Sequence, residues 1–130
     1  MRGFLAVLAG AVVWALVWLA LNQGLLAWIP EAFAIGRPIT SAGWLVFLFV
    51  FSALLSVGAG YVTGWVGRGK EIPCALALGV VQTALGIVFQ VQSWDLMPLW
   101  YHLLFLASLL PGNVLGGALR ASALAKNPAA

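Results

Sequence analysis

The charged residues of this chain occur only in the short segments that flank or connect long apolar stretches. The 130 residues include six basic and three acidic side chains, and none of these nine lies in segments 3–30, 38–67, 72–94 or 96–119. A helix needs about 20 consecutive apolar residues to cross the roughly 30 Å hydrocarbon core of a bilayer. The sequence therefore predicts an all-α membrane protein, a bundle of four transmembrane helices at about residues 4–28, 42–66, 73–92 and 96–119.

The composition excludes an ordinary soluble domain. Apolar residues make up 64% of the chain and charged residues 7%, against about 45–50% and 25% in soluble proteins. The longest segment outside the predicted helices, around residues 30–41, is too short to fold separately. We therefore expect one integral membrane domain over residues 1–130.

The distribution of basic residues predicts an orientation. Short cytoplasmic loops of membrane proteins are enriched in Lys and Arg. With a cytoplasmic N-terminus, the opposite side holds Arg37 alone, and the cytoplasmic side holds Arg2, Arg68, Lys70, Arg120 and Lys126. Both termini are thus expected in the cytoplasm. Basic residues so widely separated do not form a nucleic-acid surface, so the expected partners are the lipid bilayer and other membrane subunits or further copies of this chain.

The first predicted helix also has some features of a signal peptide. Arg2 supplies a positive N-terminal region, and Ala32-Phe33-Ala34 has the form of a cleavage site. The apolar run continues to Ile29, however, which exceeds the roughly 7–15 residues of a signal sequence. A retained membrane helix is therefore favoured over a cleaved leader.

Small residues recur at every fourth position in two of the predicted helices. Such stripes allow helix backbones to approach closely in membranes. Two origins remain open, a duplicated helical hairpin or convergent packing chemistry. The residues are Ser52, Ser56, Gly60 and Gly64 in the second helix and Ser108, Gly112 and Gly116 in the fourth.

Polar side chains within the spans form two candidate groups. The first is a polar face made by Gln82, Thr83 and Gln90 of the third helix. Its candidate partners are Asn113 or Ser108 of the fourth helix, or Ser56 of the second. It is interpreted as amide hydrogen bonding between helices, or alternatively as a route for a small polar solute. The spans hold none of the charged residues that mark ion pathways in transporters, which favours the first interpretation.

The second group is an outer polar cluster of Asn22, Gln23, Asp95 and His102. Asp95 directly precedes the fourth predicted helix and is also expected to cap it. One imidazole and one carboxylate are too few for a zinc or haem site, so His102 is interpreted as a hydrogen-bonding residue. No catalytic set and no phosphate loop following a strand is visible. We therefore expect no catalytic residue, cofactor or metal. Trp14 and Trp18, one turn apart within the first helix, are interpreted as packing residues, with a quinone or chromophore surface as the alternative.

Three segments carry a resemblance to a known group. They are the basic turn Gly67-Arg68-Gly69-Lys70, residues 94–102 with the sequence WDLMPLWYH, and the C-terminal segment 116–120 with the sequence GGALR. The chain resembles small uncharacterised four-helix bacterial inner-membrane proteins, and this resemblance implies a multi-pass inner-membrane location. The expected function is a non-enzymatic membrane module, either an accessory subunit or a homo-oligomeric scaffold; the alternative is a small transporter or channel.

Overall fold

The computed structural model describes residues 1–34 and 36–127, and over these residues the chain is a bundle of four long helices. A 3₁₀ turn, Trp94–Leu96, precedes the last helix. The α-helices are α1 (Arg2–Trp28), α2 (Pro30–Phe33), α3 (Ala42–Val66), α4 (Glu71–Gln92) and α5 (Leu99–Lys126). All except α2 are long and apolar enough to span a membrane, which confirms the predicted fold class. The predicted domain also includes residue 35 and residues 128–130, which lie outside the described residues.

Local chemistry sets the connections between the helices. Pro30 starts α2, where its missing N–H is harmless at a first helical position. Gly69 adopts φ +88°, a left-handed conformation that glycine takes without steric cost. This allows a short turn between α3 and α4, and the Gly69 N–H donates to Glu71 Oε1 at 2.8 Å.

The start of the last helix differs from the prediction. The sequence indicated a helix from about residue 96, capped by Asp95, but α5 begins at Leu99, and its N-cap makes no side-chain hydrogen bond. Met97 is extended, with φ −142° and ψ 154°, because a residue preceding proline is disfavoured in the α region. Pro98 therefore separates the Asp95 turn from α5, and the predicted cap is wrong.

The bundle has two distinguishable ends. At the end that we call the basic end, Arg2 Nε donates to the Val66 carbonyl at 3.2 Å, and Gly64 lies against the side chain of Arg120. At the opposite, distal end, the Ile39 N–H donates to the Leu96 carbonyl at 2.9 Å. The four long helices therefore run alternately up and down, and the chain enters α1 and leaves α5 at the basic end.

The buried side chains are small in the basic half of the bundle and large in the distal half. In the basic half it is built from small residues such as Ala6, Gly10, Ala59 and Ala75. A Cβ added to Gly10 would lie 2.7 Å from Leu78 Cδ2 and 3.1 Å from the Ala59 carbonyl oxygen. α1 is therefore tightly packed against α3 and α4 in this half. The distal half contains a cluster of large buried side chains, Leu25, Leu45, Leu48, Tyr101, Phe105 and Leu109.

Candidate functional site

A cleft lies between α1 and α4 in the distal half of the bundle. Its volume is about 570 Å³, within the range of roughly 300–1,000 Å³ common for small-molecule sites. One wall is formed by residues of α1, the other by residues of α4, and α5 contributes most of the floor. The floor residues of α5 are Tyr101, Phe105 and Leu109.

The rim of the cleft consists of exposed apolar side chains. Leu19 on α1 is 56% exposed, and Leu85 and Phe89 on α4 are 52% and 63% exposed. Both helices are candidate membrane spans, so these side chains face hydrocarbon when the bundle is in a bilayer. The cleft is therefore accessible from lipid between α1 and α4.

The α1 wall carries a pair of stacked indoles. The rings of Trp14 and Trp18 have centroids 5.3 Å apart and planes inclined by 24°. Phe105 lies 6.2 Å from the first and 5.6 Å from the second. Trp14 Nε1 donates to Ser56 Oγ at 3.1 Å, which holds the indole in place. The pair packs between helices and also lines the cleft.

Gln82, one of the residues that line the cleft, forms an amide pair with Asn113 of α5. Asn113 Nδ2 donates to Gln82 Oε1 at 2.6 Å and to the Leu109 carbonyl at 2.8 Å. Only an N–H can donate to a carbonyl, so the second bond fixes the orientation of the Asn113 amide. Gln82 must then present its oxygen, and its Nε2 has no hydrogen-bond partner among the described residues.

The distal end of the cleft holds a second polar contact, between Gln90 and His102. His102 is fully buried, and its Nδ1 pairs with the Gln90 side-chain amide. Its Nε2 lies 3.1 Å from the Trp94 carbonyl oxygen, and its ring stacks on that of Trp94 at 4.6 Å and 9°. Gln90 Oε1 can only accept, so His102 Nδ1 is the donor to it, and Nε2 faces the Trp94 carbonyl oxygen. Both ring nitrogens are thus engaged.

The structure does not gather the predicted outer polar cluster into one site. Asn22 Nδ2 donates to the Trp18 carbonyl, one turn back in its own helix, at 2.8 Å. Gln23 is exposed, as is Asp95 in the 3₁₀ turn. Within the described part of the chain, no hydrogen bond connects His102 to any of these three residues. The histidine instead pairs with Gln90, which the sequence assigned to the other group.

The residues of the predicted polar face of α4 also lie on two different surfaces. Gln82 and Gln90 line the cleft, whereas Thr83 lines a shallow apolar groove between α4 and α5. The Thr83 hydroxyl donates to the Gly79 carbonyl in its own helix at 2.8 Å. Thr83 therefore belongs to a different surface from the two glutamines.

The glycines of the two stripes of small residues lie between α3 and α5. A Cβ on Gly60 would overlap the backbone of Asn113, and one on Gly116 would overlap the backbone of Val57. A Cβ on Gly112 would lie 2.9 Å from Ser56 Cβ. The Ser52 and Ser108 hydroxyls donate to carbonyls of their own helices, those of Phe49 and Phe105. The glycines are thus at the places where the α3 and α5 backbones approach most closely.

The chemistry of the cleft is that of a binding surface. Its polar groups are amides and hydroxyls set among aromatic and aliphatic side chains. Across residues 1–34 and 36–127, no three side chains of His, Cys, Asp or Glu form a group that could hold a metal ion. Sequence reasoning missed the contributions of Tyr101 and Phe105 to the cleft, since neither stands out from the other apolar residues of its helix.

Comparison of the chain with protein-family models, with curated proteins and with solved structures gives no match.

Proposed function

We propose that this chain is a non-enzymatic integral membrane module of the bacterial inner membrane, acting as an accessory subunit of a larger complex or as a homo-oligomeric scaffold. The observation that supports this most is the pairing of its buried polar side chains across helices. Gln82 bonds to Asn113, His102 to Gln90, and Trp14 to Ser56. Such bonds hold a bundle together without building a polar channel.

The surface of α1 supports a role in assembly. In the most apolar 18-residue segment of α1, only 11% of the sequence is buried inside the bundle, against 33% in the corresponding segment of each of the other three spans. Along α1 only Ala6, Gly10 and Leu25 are buried, so most of the helix is free to contact lipid or another subunit. The small-residue stripes are engaged within the chain, which leaves α1 as the surface favoured for contact with a partner.

Native mass spectrometry of the protein released from membrane vesicles tests this proposal. We expect a discrete assembly of fixed stoichiometry, containing several copies of the chain or the chain with other subunits. A tryptophan placed on the exposed face of α1, as Leu16→Trp, should weaken the assembly, and Leu54→Trp on the exposed face of α3 is the matched control. A monomer under all mild conditions would contradict the proposal.

The alternative, a transporter or channel for a small polar solute, has less support. The cleft surface between Gln82 and Gln90 is formed by Leu85, Gly86 and Phe89, which offer no side-chain hydrogen bonds to a hydrated solute. Flux in proteoliposomes separates the two functions when it is measured together with protein level. Gln82→Leu protein that is stable and well expressed but has selectively lost solute flux would support the transporter.

The proposed topology has both termini in the cytoplasm. It is supported by five basic residues in the basic half of the bundle, which are Arg2, Arg68, Lys70, Arg120 and Lys126. Arg37 follows α2 at the distal end. This asymmetry is the one expected when the basic end faces the cytoplasm.

A further inference from the structure

We infer that the cleft between α1 and α4 is a binding site for a neutral, membrane-soluble molecule with a planar, carbonyl-bearing ring, of the quinone class. This inference goes beyond the proposed assembly function and does not depend on it. The observation that supports it most is a buried hydrogen-bond donor without an acceptor, on a residue that lines an aromatic cleft accessible from lipid.

The donor is Gln82 Nε2. The residue is 7% exposed, it lines the cleft, and its Nε2 has no partner in the described part of the chain. Because the Leu109 carbonyl fixes the orientation of Asn113, reversing the Gln82 amide would place two NH₂ groups against each other and break the bond between the two side chains. A buried donor that lacks an acceptor is costly in an apolar interior. A ligand carbonyl would remove this cost, whereas a pure hydrocarbon would not.

The walls of the cleft favour a ring over a flexible chain. Trp14 and Trp18 stack on one another along α1, and Phe105 and Tyr101 lie on the floor. Aromatic side chains interact with a planar ring by offset or edge-to-face contacts beyond simple burial of area. The hydrogen bond from Trp14 to Ser56 keeps its wall rigid, which lowers the entropy lost on binding.

The route of entry selects a lipophilic and uncharged ligand. The rim side chains Leu19, Leu85 and Phe89 are exposed and apolar, and no Asp, Glu, Lys or Arg lines the cleft. An ionic molecule would therefore lose its hydration without gaining a counter-charge. A neutral quinone with an apolar tail can diffuse in from the bilayer, with its ring in the cleft and its tail between the rim residues.

A direct binding measurement tests the site. The probe is a tritiated benzoquinone with a decyl tail and a fully substituted ring, which cannot add to the Cys74 thiol. Binding to the purified protein in mild detergent is followed by scintillation proximity. Decylbenzene, which has the ring and the tail but no carbonyl, and methyl palmitate, which has a carbonyl but no ring, serve as competitors. We expect saturable binding of the quinone and weak competition by both compounds.

Three substitutions test whether the quinone binds in the cleft. Ala15→Phe fills the cleft from an exposed lining position and should weaken binding by about tenfold or more, since it removes the apolar burial available to the ring. Ala20→Phe, on the exposed surface of α1 outside the cleft, should leave binding unchanged. Gln82→Leu should weaken quinone binding by about three- to tenfold, the value of one hydrogen bond, and should abolish the preference over decylbenzene.

Several outcomes would overturn the inference. Absence of saturable binding would exclude the site, and equal effects of Ala15→Phe and Ala20→Phe would place the quinone elsewhere. Competition by methyl palmitate as strong as that by unlabelled quinone would identify the cleft as a lipid acyl-chain groove. Equal competition by decylbenzene would show that the Gln82 donor plays no part. If Gln82→Leu fails to fold, the Ala15→Phe and Ala20→Phe pair and the competitors still decide the result.

Discussion

Asn113 on α5 donates a side-chain hydrogen bond to Gln82 on α4 across 2.6 Å. Both residues are buried, and each lies about midway along its span. In such a position, an amide has no water to bond to and must find a partner within the protein. The pair therefore ties α4 to α5 at one specific depth and rotation. It also leaves Gln82 Nε2 and Asn113 Oδ1 without hydrogen-bond partners among the described residues.

Replacing one member of the amide pair should destabilise the bundle. Gln82→Leu should lower the free energy of unfolding by about 1–2 kcal/mol, because Asn113 loses its buried partner. The double variant Gln82→Leu/Asn113→Leu should recover part of this loss, since replacing both members leaves no unpaired amide. Thermal unfolding in mild detergent measures both effects. A double variant that is less stable than Gln82→Leu alone would contradict the pairing.

The closest approach of α3 to α5 should tolerate no side chain at Gly60. Gly60→Leu should lower the free energy of unfolding by about 1–3 kcal/mol, the usual scale of overpacking, because a Cβ there overlaps the Asn113 backbone. A Cβ added to Gly58, two residues earlier, would have no neighbouring atom within 4 Å. Gly58→Leu is therefore a control with the same chemical change. Equal unfolding temperatures for the two variants would show that Gly60 is not at a helix interface.

The His102 contacts should matter more than the carboxylate of Asp95. His102→Leu removes the hydrogen-bond partner of Gln90 and of the Trp94 carbonyl. It should lower the free energy of unfolding by about 1–3 kcal/mol, because buried polar groups are left without partners. Asp95→Ala should be nearly neutral, because Asp95 is exposed and does not cap α5. Thermal unfolding of the two variants gives the comparison, and a larger loss for Asp95→Ala would restore the predicted capping role.

Reporter fusions test the orientation. Fusions after Arg37 and after Asp95 should be active as periplasmic reporters, whereas fusions after Lys70 and after Lys126 should be active as cytoplasmic ones. The physical reason is the excess of basic residues at the basic end, which favours its retention in the cytoplasm. A periplasmic C-terminal reporter would overturn the proposed orientation.

Two particular residues show where sequence reasoning failed. Asp95 precedes an apolar stretch and has the chemistry of an N-cap. Pro98, however, holds Met97 in an extended conformation, so α5 begins only at Leu99. Thr83 is adjacent to Gln82 in the sequence, yet successive residues of a helix are rotated by about 100°. That rotation directs Thr83 to the groove facing α5 and Gln82 to the cleft and Asn113.

The sequence by itself determined the number and approximate limits of the spans. Hydrocarbon excludes charged side chains and requires every backbone polar group to bond within its own helix, so four long charge-free stretches allow few folds other than four helices. Which helices approach each other and which polar side chains meet were decided only in the tertiary structure. The pairing of His102 with Gln90 and the cleft beside Trp14 depend on the relative depth and rotation of separate helices, and hydropathy along one chain does not specify these quantities.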